Sequence, residues 1–488
     1  MQRLLACFLP ALALGLTGCG TADDASVGVA VIGPADPLTG EGLRLSLAGQ
    51  LVRAATREGL VALDHQGEVV PAIAERWIVT DDGLSYIFRI RNSDWPDGAP
   101  ITAPAVRDQL RQTLASLRGT SLGLDLAPIA EVRAMTGRVV EIRLSAPMPG
   151  LLQLLAQPEL GLERGGKGAG PMQFERAEEG VALDPVPPSA RGFPQPEEWK
   201  SQFRTVLMRV APVEQAVAAF ENGSVNLVLG GTIVDLPLAD TGALSRGTIR
   251  LDAALGLLGF EVARAEGFLA TAANREAVAM AIDRSQLMQP FNVGGWVATT
   301  RIVAPGLPDD GGGVPERWAD LDIEKRQSLA RQRASAWERA NGKKVALTVF
   351  LPAGPGSDRL FAQVQRGLAA AGISARRAER EDASDLVLKD RLARFAGARW
   401  FLNQFNCRST DGPCSEGADA LVRQSLAVAT PAEQASLLAE AERLMLAENL
   451  FIPLGAPIRW SLVRGGVRGF QENRWSVHPL FALSQRPM

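Results

Sequence analysis

Residues 84–106 constrain the fold most, because their hydrophobic period changes from that of a strand to that of a helix. In residues 84–91 (LSYIFRIR) one set of alternate positions is apolar, which is the pattern of a half-buried strand. Residues 95–98 (WPDG) have the residue types of a β-turn. Thr102 is typical of a helix N-cap, with Pro104 tolerated in the first turn. The segment therefore predicts a strand, a turn and a helix in succession.

Helices and strands alternate elsewhere in the chain as well. Helical patterns occur at residues 212–222, at 273–288 and after a capping box at 430–433 (TPAE), and strand patterns occur at 225–231 (VNLVLGG) and 450–458 (LFIPLGAPI). Stretches rich in proline and glycine, at 185–197 and 304–316, predict loops. A chain of 488 residues is too long for one ordinary core. We therefore expect an α/β or α+β protein of two or three domains.

The N-terminal residues indicate export. Residues 4–16 (LLACFLPALALGL) are apolar and too few to span a bilayer as a helix, so residues 1–18 are predicted to be a signal peptide. The small residues before Cys19 resemble the lipobox of bacterial lipoproteins, in which the cysteine is acylated and becomes the first mature residue. An ordinary signal peptide, followed by a cysteine without a role, is the alternative. We expect a lipid anchor on Cys19, in the inner or the outer membrane.

Charge and cysteine content narrow the function classes. Without residues 1–18 the chain has 50 basic and 54 acidic side chains and no block of Lys or Arg, which argues against nucleic-acid binding. Cys407 and Cys414 lie across a turn in a chain predicted to be exported, which favours a disulfide between them. A metal site there would need two further ligands, and the only histidines are His65 and His478. We expect the disulfide and no metal.

The catalytic motifs of known enzyme classes are incomplete. Residues 161–168 (GLERGGKG) approach a P-loop, but Gly168 lacks the hydroxyl that would bind Mg²⁺. Ser357 lacks the second glycine of a nucleophile elbow, and neither His65 nor His478 has a histidine partner four residues away. We therefore predict no enzyme, no catalytic residue and no cofactor. An envelope hydrolase, whose two carboxylates converge from distant positions, is the open alternative from another class.

Five groups of residues follow one another as they do in one known protein family. The first group is the series 58–61 (EGLV), 70–77 (VPAIAERW) and 81–91 (DDGLSYIFRIR). The other four are the turn 95–103 (WPDGAPITA), 168–171 (GAGP), 268–288 (FLATAANREAVAMAIDRSQLM) and 442–470 (ERLMLAENLFIPLGAPIRWSLVRGGVRGF). Each is weak alone, but together they cover nearly the whole mature chain in order. The chain thus resembles the peptide/nickel class, family 5, of ABC-transporter extracytoplasmic substrate-binding proteins.

The resemblance implies a two-lobed, periplasmic-binding-protein-like α/β (α+β) fold of class II, cluster C, with an extra small domain on lobe one. The boundaries that we expect follow the order of the chain. They are 1–18 for the signal peptide, 19–44 for the N-terminal linker and the start of lobe one, 45–165 for the small domain, 166–258 for the rest of lobe one, 259–458 for lobe two and 459–488 for a C-terminal return to lobe one.

One departure from the family concerns the ligand site. Peptide-binding members have a W-x-x-D segment in lobe two, whose aspartate pairs with the α-ammonium group of the ligand. Residues 400–403 read WFLN here, so Trp400 and Asn403 are our candidate ligand-binding residues, with Asn in place of Asp. Losing one partner of a desolvated ion pair costs about 3–5 kcal/mol. Peptides with a free amine should therefore bind poorly, unless another acid, such as Asp411, substitutes for the missing aspartate. The alternative is that the alignment with the family is shifted by a few residues, in which case Trp400 is a core residue.

As a function, the resemblance implies a lipid-anchored receptor that captures a small solute, with peptides among the candidates, in the cleft between its lobes. It would deliver the solute to an ABC permease in the inner membrane. We expect a periplasmic monomer that binds no nucleic acid and contacts the membrane only through its lipid. The alternative within the same fold is a solitary sensor or chaperone-like envelope protein without a role in transport.

Overall fold

A computed structural model of the chain describes residues 25–34, 42–43, 45–240, 247–311, 313–410, 412–428 and 430–487. Within these ranges no helix has both the length and the apolar character needed to cross a membrane. The predicted signal peptide and the lipid attachment site Cys19 lie outside the described residues, and so does Asp411.

The first strand, β1 (Ser26–Ile32), lies inside a large sheet, and its apolar side chains from Val27 to Val31 are fully buried, as expected for a central parallel strand. Helix α1 (Leu47–Thr56) begins at Ser46, whose hydroxyl accepts the Gly49 N–H at 3.2 Å. Its apolar face packs against β1 and its neighbours. The predicted boundary at residue 45 assigns this helix to the small domain, but its buried side chains belong to the core of the large sheet.

Residues 61–155 form the small domain, which is built on antiparallel strands. Its elements are β2 (Val61–Leu63), β3 (Val69–Pro71), β4 (Ala74–Val79), β5 (Ser85–Ile90), α2 (Ala103–Ser116), α3 (Ser121–Asp125), β6 (Ile129–Met135), β7 (Val139–Leu144) and α4 (Leu151–Leu155). Four strands form one sheet in the order β4-β5-β7-β6, and β2 pairs with β3.

The predicted strand, turn and helix are confirmed as β5, residues 95–98 and α2. The Thr102 hydroxyl accepts the Ala105 N–H at 3.4 Å and so caps α2. Trp95 is buried in the apolar core that the small domain contributes to, where it fixes the turn. The segment therefore has a structural role at this junction.

After the small domain the chain returns to the first sheet. On the way, β8 (Glu163–Arg164) and β9 (Lys167–Gly168) pair as a separate two-stranded sheet. The elements that follow are β10 (Met172–Ala177), β11 (Gly180–Pro185), β12 (Thr205–Ala211), α5 (Val213–Glu221), β13 (Leu227–Thr232) and β14 (Ile249–Asp252). Strand β1 pairs in parallel with both β12 and β13. Helix α5 and strand β13 confirm the helix and the strand predicted at residues 212–231. We call this sheet with α1 and α5 lobe one.

Lobe two is built on a separate five-stranded sheet in the order β17-β16-β18-β15-β19. Its elements are β15 (Gly256–Val262), α6 (Ala272–Ala281), α7 (Ile323–Asn341), β16 (Ala346–Phe350), α8 (Pro355–Ala370), β17 (Ser374–Arg377), β18 (Leu386–Leu392), α9 (Ala398–Asn403), α10 (Glu416–Gln424), α11 (Pro431–Glu448) and β19 (Phe451–Gly455). The predicted cap of α11 is confirmed, since the Thr430 hydroxyl accepts the Glu433 N–H at 3.2 Å.

The helix predicted over residues 273–288 is wrong in nearly its last half, residues 282–288. Helix α6 ends at Ala281, and a separate short 3₁₀ turn follows at Arg284–Gln286. The reason is the buried guanidinium of Arg284, which donates to the carbonyls of Ala279 at 3.1 Å and Pro453 at 2.8 Å. These tertiary contacts override a local pattern that favours a longer helix.

The chain crosses between the lobes twice. Residues 253–255 lead from β14 to β15, and residues 456–458 lead back from β19 to β20 (Arg459–Val463), which is followed by α12 (Leu480–Leu483). Strand β20 completes the seven-stranded order β10-β11-β12-β1-β13-β20-β14. Two short connections side by side, between two separately packed sheets, permit rotation of one lobe against the other.

A buried charge network holds the long loop of lobe two. Glu442 accepts the backbone N–H groups of Ile302 and Val303, both at 3.0 Å, and pairs with Arg301 at 2.7 Å. Arg301 also donates to Asp310 at 3.1 Å, and burial raises the pKa of Glu442. The network fixes both ends of a loop segment that has little apolar content of its own.

Removing one partner of this network should destabilise the protein strongly. Arg301→Met leaves Glu442 buried without its cation, so the free energy of unfolding should fall by about 3–5 kcal/mol in urea titrations. The control Arg380→Met, which removes an exposed pair with Asp382, should change it by less than about 1 kcal/mol. Equal losses in the two variants would contradict a structural role for the network.

Candidate functional site

The residues predicted to bind ligand lie on α9, a short helix that is buried along its whole length. Its start is held by Asp309, whose Oδ1 accepts the Ala398 N–H at 2.8 Å. Gly397 precedes the helix, and a Cβ there would lie 2.5 Å from the Phe395 ring, so this close approach requires glycine. Burial raises the pKa of the Asp309 carboxyl. The helix is therefore positioned by lobe two before it meets any other part of the molecule.

Asn403, at the end of α9, contacts the small domain. Its Nδ2 donates to Oδ1 of Asp125, the last residue of α3, at 2.8 Å. Asp125 has no solvent exposure, and its Oδ2 has no hydrogen-bond partner among the described residues. Burial raises the pKa of Asp125 to about 7, although the Asn403 amide and the charge of Arg399 act in the opposite direction. The junction of the small domain and lobe two thus contains a desolvated carboxyl group.

Two arginines of lobe two also reach the small-domain side of this junction. Arg399 donates from Nη2 to the backbone carbonyl of Asp125 at 2.8 Å and lies 3.5 Å from the sulfur of Met148. Arg394 pairs with the buried Glu159, next to the small domain, at 3.1 Å. The guanidinium of Arg399 therefore contacts the main chain at Asp125, and the guanidinium of Arg394 forms an ion pair with the carboxylate of Glu159.

Trp400 is packed inside this junction. It is 2% exposed, and its ring meets that of Phe401 edge-on, with the centroids 4.9 Å apart. Its neighbours belong to one apolar core that contains side chains of both the small domain and lobe two. Trp400 and Asn403 both lie in this junction, Trp400 as a core residue, and a contact of either with ligand stays a prediction.

The disulfide between Cys407 and Cys414 is present, with Cα atoms 5.3 Å apart. The Cys407 N–H donates to Asp419 of α10 at 2.9 Å, so the loop that leaves Asn403 is tied to the next helix. In the part of the chain that the structure describes, no three side chains of His, Cys, Asp or Glu are grouped to hold a metal ion. His478 is buried against Asp252, with Nε2 3.1 Å from Oδ2.

The lobes themselves are in contact. The N–H of Gly356, in the first turn of α8, donates to the carbonyl of Val234 in lobe one at 2.8 Å. A Cβ at Gly356 would overlap the carbonyl oxygen of Ile233. Together with the junction at Asp125, this contact shows a closed arrangement of the lobes.

Sequence reasoning missed Asp125, Asp309 and Arg399. The local signal for Asp125 is an isolated acid in an otherwise apolar run, LGLDLAPI (122–129). A lone carboxylate between leucines, with no basic residue three or four positions away, is a candidate for a buried functional group.

The chain resembles known proteins in sequence and in structure. A model of the bacterial extracellular solute-binding proteins, family 5 middle region, matches residues 68–406. The dipeptide-binding protein DppE of Bacillus subtilis is 22% identical, over 81% of this chain and 80% of its own length. The probable deoxycholate-binding periplasmic protein YgiS of Escherichia coli is 34% identical over 21% of this chain, a match that spans 23% of that relative's length.

Solved structures share the fold at low sequence identity. OppA of Haemophilus influenzae in complex with the peptide RPPGFSPFR superposes with a TM-score of 0.79 and 15% identity, covering 96% of this chain and 99% of that one. The murein tripeptide binding protein MppA of Escherichia coli gives 0.77 and 16%, covering 94% and 99%. NikA of Brucella suis in complex with Fe(III)-EDTA gives 0.73 and 18%, covering 94% and 100%. The two-lobed fold is therefore confirmed.

The buried carboxyl of Asp125 predicts a pH dependence of stability. Its pKa is about 7 in the folded protein and near 3.8 when unfolded. Between these values the unfolded chain has lost a proton that the folded protein keeps, so this group lowers the free energy of unfolding as pH rises. In Asp125→Asn the effect is absent. The stability of the variant relative to wild type should therefore increase from pH 4 to pH 7, by on the order of 4 kcal/mol at most, and then level off.

Urea unfolding of wild type and Asp125→Asn at pH 5 and pH 8 measures this difference, because effects common to both proteins cancel. Asp108→Asn, at an exposed position on α2, is the matched control and should show no such trend. A stability difference that is the same at both pH values would contradict the burial of an ionisable Asp125.

Proposed function

The chain belongs to the bacterial extracellular solute-binding proteins, family 5, and from this premise we propose that it captures a small solute between its lobes and delivers it to an ABC import permease. Peptides are the first candidates, because several relatives are named for the peptides that they bind. The observation that carries the proposal is the polar junction at α9, where Asp125 and Asn403 meet across the small domain and lobe two.

The two crossings between the lobes support capture by closure. Rotation about residues 253–255 and 456–458 would separate α9 from α3 and expose both to water, so that a solute could enter from the open side. Closure would then bury the solute against groups from both sides, which gives polar contacts their full strength. The disulfide after α9 and the cap at Asp309 hold the lobe-two groups in place during this motion.

The same geometry supports the proposed delivery to a permease. Only the closed form presents the outer surfaces of both lobes in a fixed relation, so a permease that contacts both lobes would distinguish the loaded from the empty protein. We place the protein in the periplasm as a monomer, attached to the envelope through a lipid on Cys19, and we expect it to catalyse no reaction.

Native mass spectrometry tests the proposed function directly. Mature protein purified gently from its own host should carry a solute of low mass, and that solute should stabilise it against thermal unfolding, by about 2.7 kcal/mol at a hundred times the dissociation constant. The solute stabilises the folded protein because the unfolded chain lacks the junction and does not bind it. Protein that carries no solute, and that no peptide stabilises, would contradict the proposal.

The lipid anchor is tested by Cys19→Ser with the signal peptide left in place. Loss of the thiol removes the acylation site, so the variant should move from the membrane fraction to the soluble periplasmic fraction after cell disruption, while wild type sediments with membranes. A variant that still sediments with the membranes would show that attachment does not depend on Cys19.

A further inference from the structure

The lobes meet at the first turn of α8, where the main chain of lobe two contacts the main chain of lobe one. We propose that this contact is a latch, in which the carbonyl of Val234 caps α8 in the closed form alone and Gly356 is the residue that allows the two chains to meet. The inference rests on the proposed function in one respect, because it concerns the closure by which a solute would be captured. It adds the contact that stabilises the closed form.

The first argument is the hydrogen bond across the contact. The first N–H groups of a helix have no partner within the helix, and a side chain at the N-cap commonly accepts one of them. Gly354, at the N-cap of α8, has no side chain that could do so. The Gly356 N–H instead donates to the carbonyl of Val234 at 2.8 Å. Lobe one therefore supplies the cap of a helix that belongs to lobe two.

The second argument is the lack of space at Gly356. Its φ lies outside the left-handed region, so the conformation of the backbone does not require glycine there. A Cβ at this position would overlap the carbonyl oxygen of Ile233 and lie 2.7 Å from that of Val234, and both are main-chain atoms of lobe one. A side chain at residue 356 would therefore hold the lobes apart. Glycine is required by the opposite lobe and not by the helix.

The third argument is the apolar packing beside this hydrogen bond. Ile233 of lobe one is buried in the same apolar core as Leu351 and Leu360 of lobe two. The 3₁₀ turn that follows, Leu236–Ala239, packs against α8. Separation of the lobes at this contact would expose apolar surface and return the Gly356 N–H to water. The closed form is thus favoured by the hydrophobic effect and by a shielded hydrogen bond.

The latch is distinct from the junction at α9. It joins lobe two to residues directly after β13, a strand of the large sheet, whereas the junction joins lobe two to the small domain. The N–H and the carbonyl that form the latch are uncharged and belong to neither candidate ligand-binding residue. The latch therefore favours closure in the empty and the loaded protein alike, and it sets the fraction of empty protein that is closed.

The test is Gly356→Ala, with the distance measured between spin labels at Glu214 on α5 and Arg366 on α8, two exposed positions. Electron resonance is recorded on protein as purified from its host, and again after unfolding and refolding, which removes bound solute. Wild-type protein should show a short, narrow distance component, the closed form, in at least one of the two preparations. Gly356→Ala should reduce the fraction of that component by about 10-fold or more, as expected when a side chain enters a close-packed contact.

Gly465→Ala is the matched control. Residue 465 is exposed, its φ also lies outside the left-handed region, and no atom would lie within 4 Å of a Cβ placed there, so this variant should keep the wild-type distances. Thermal unfolding shows whether each variant is folded, and alanine has a higher helix propensity than glycine. If Gly356→Ala does not fold, hydrogen exchange of the Gly356 amide in wild type decides. The latch predicts exchange about 10-fold or more slower than that of an unprotected amide, and exchange at the unprotected rate would overturn it.

The remaining outcomes distinguish this inference from the proposed function. A folded Gly356→Ala protein that keeps the short component would overturn the latch, and so would a wild-type protein without that component in either preparation. Solute capture would stand in both cases if the wild-type protein carries a solute from its host. A wild-type protein that closes, loses closure in Gly356→Ala, and yet carries no solute and is stabilised by no peptide would contradict the proposed function and leave the latch intact.

Discussion

The hydrogen bond from Asn403 to Asp125 is the interaction from which the account of closure starts, because it is a buried polar contact across the shared core of the small domain and lobe two. It holds a carboxyl group that has no solvent exposure, and that group is unfavourable there in its charged form. In an open form both side chains would be hydrated. Closure of the empty protein therefore either requires a proton on Asp125 or leaves a buried charge without compensation.

Under the proposed function, this desolvation would give a solute a means to control closure. A ligand shifts a conformational equilibrium only by the difference in its affinity for the two forms. A solute that contacts both α3 and α9 only when the small domain and lobe two come together would have such a difference, since those contacts exist in the closed form alone. Such contacts would offset the cost of burying Asp125, and a permease would then receive mainly loaded protein.

The small domain packs against lobe two as well as being connected to lobe one. Its side chains share one apolar core with lobe two, in which Trp400 lies, while α1 packs on the sheet of lobe one. The small domain, which is inserted in lobe one, therefore also packs against lobe two. The cap of α9 by Asp309, the disulfide after it and the network around Glu442 all hold lobe-two segments near this surface.

Local patterns predicted the elements whose signals lie within a few residues, such as β5, the turn at 95–98 and α2. The disulfide was predicted in the same way, because its cysteines lie seven residues apart. The end of α6 could not be predicted, since the carbonyl of Pro453 that holds Arg284 lies 169 residues away in sequence. Asp125 was missed for the same reason: its partner lies 278 residues further along the chain, and only the closed fold brings them together.

The central claim, that solute closes the junction between α3 and α9, is tested most directly by the distance between spin labels at Arg118 and Glu416, two exposed positions that flank it. Pulsed electron resonance should find a broad distribution in solute-free protein and a shorter, narrow one after the co-purified solute is added back. The same distribution in the presence and absence of solute would contradict the account.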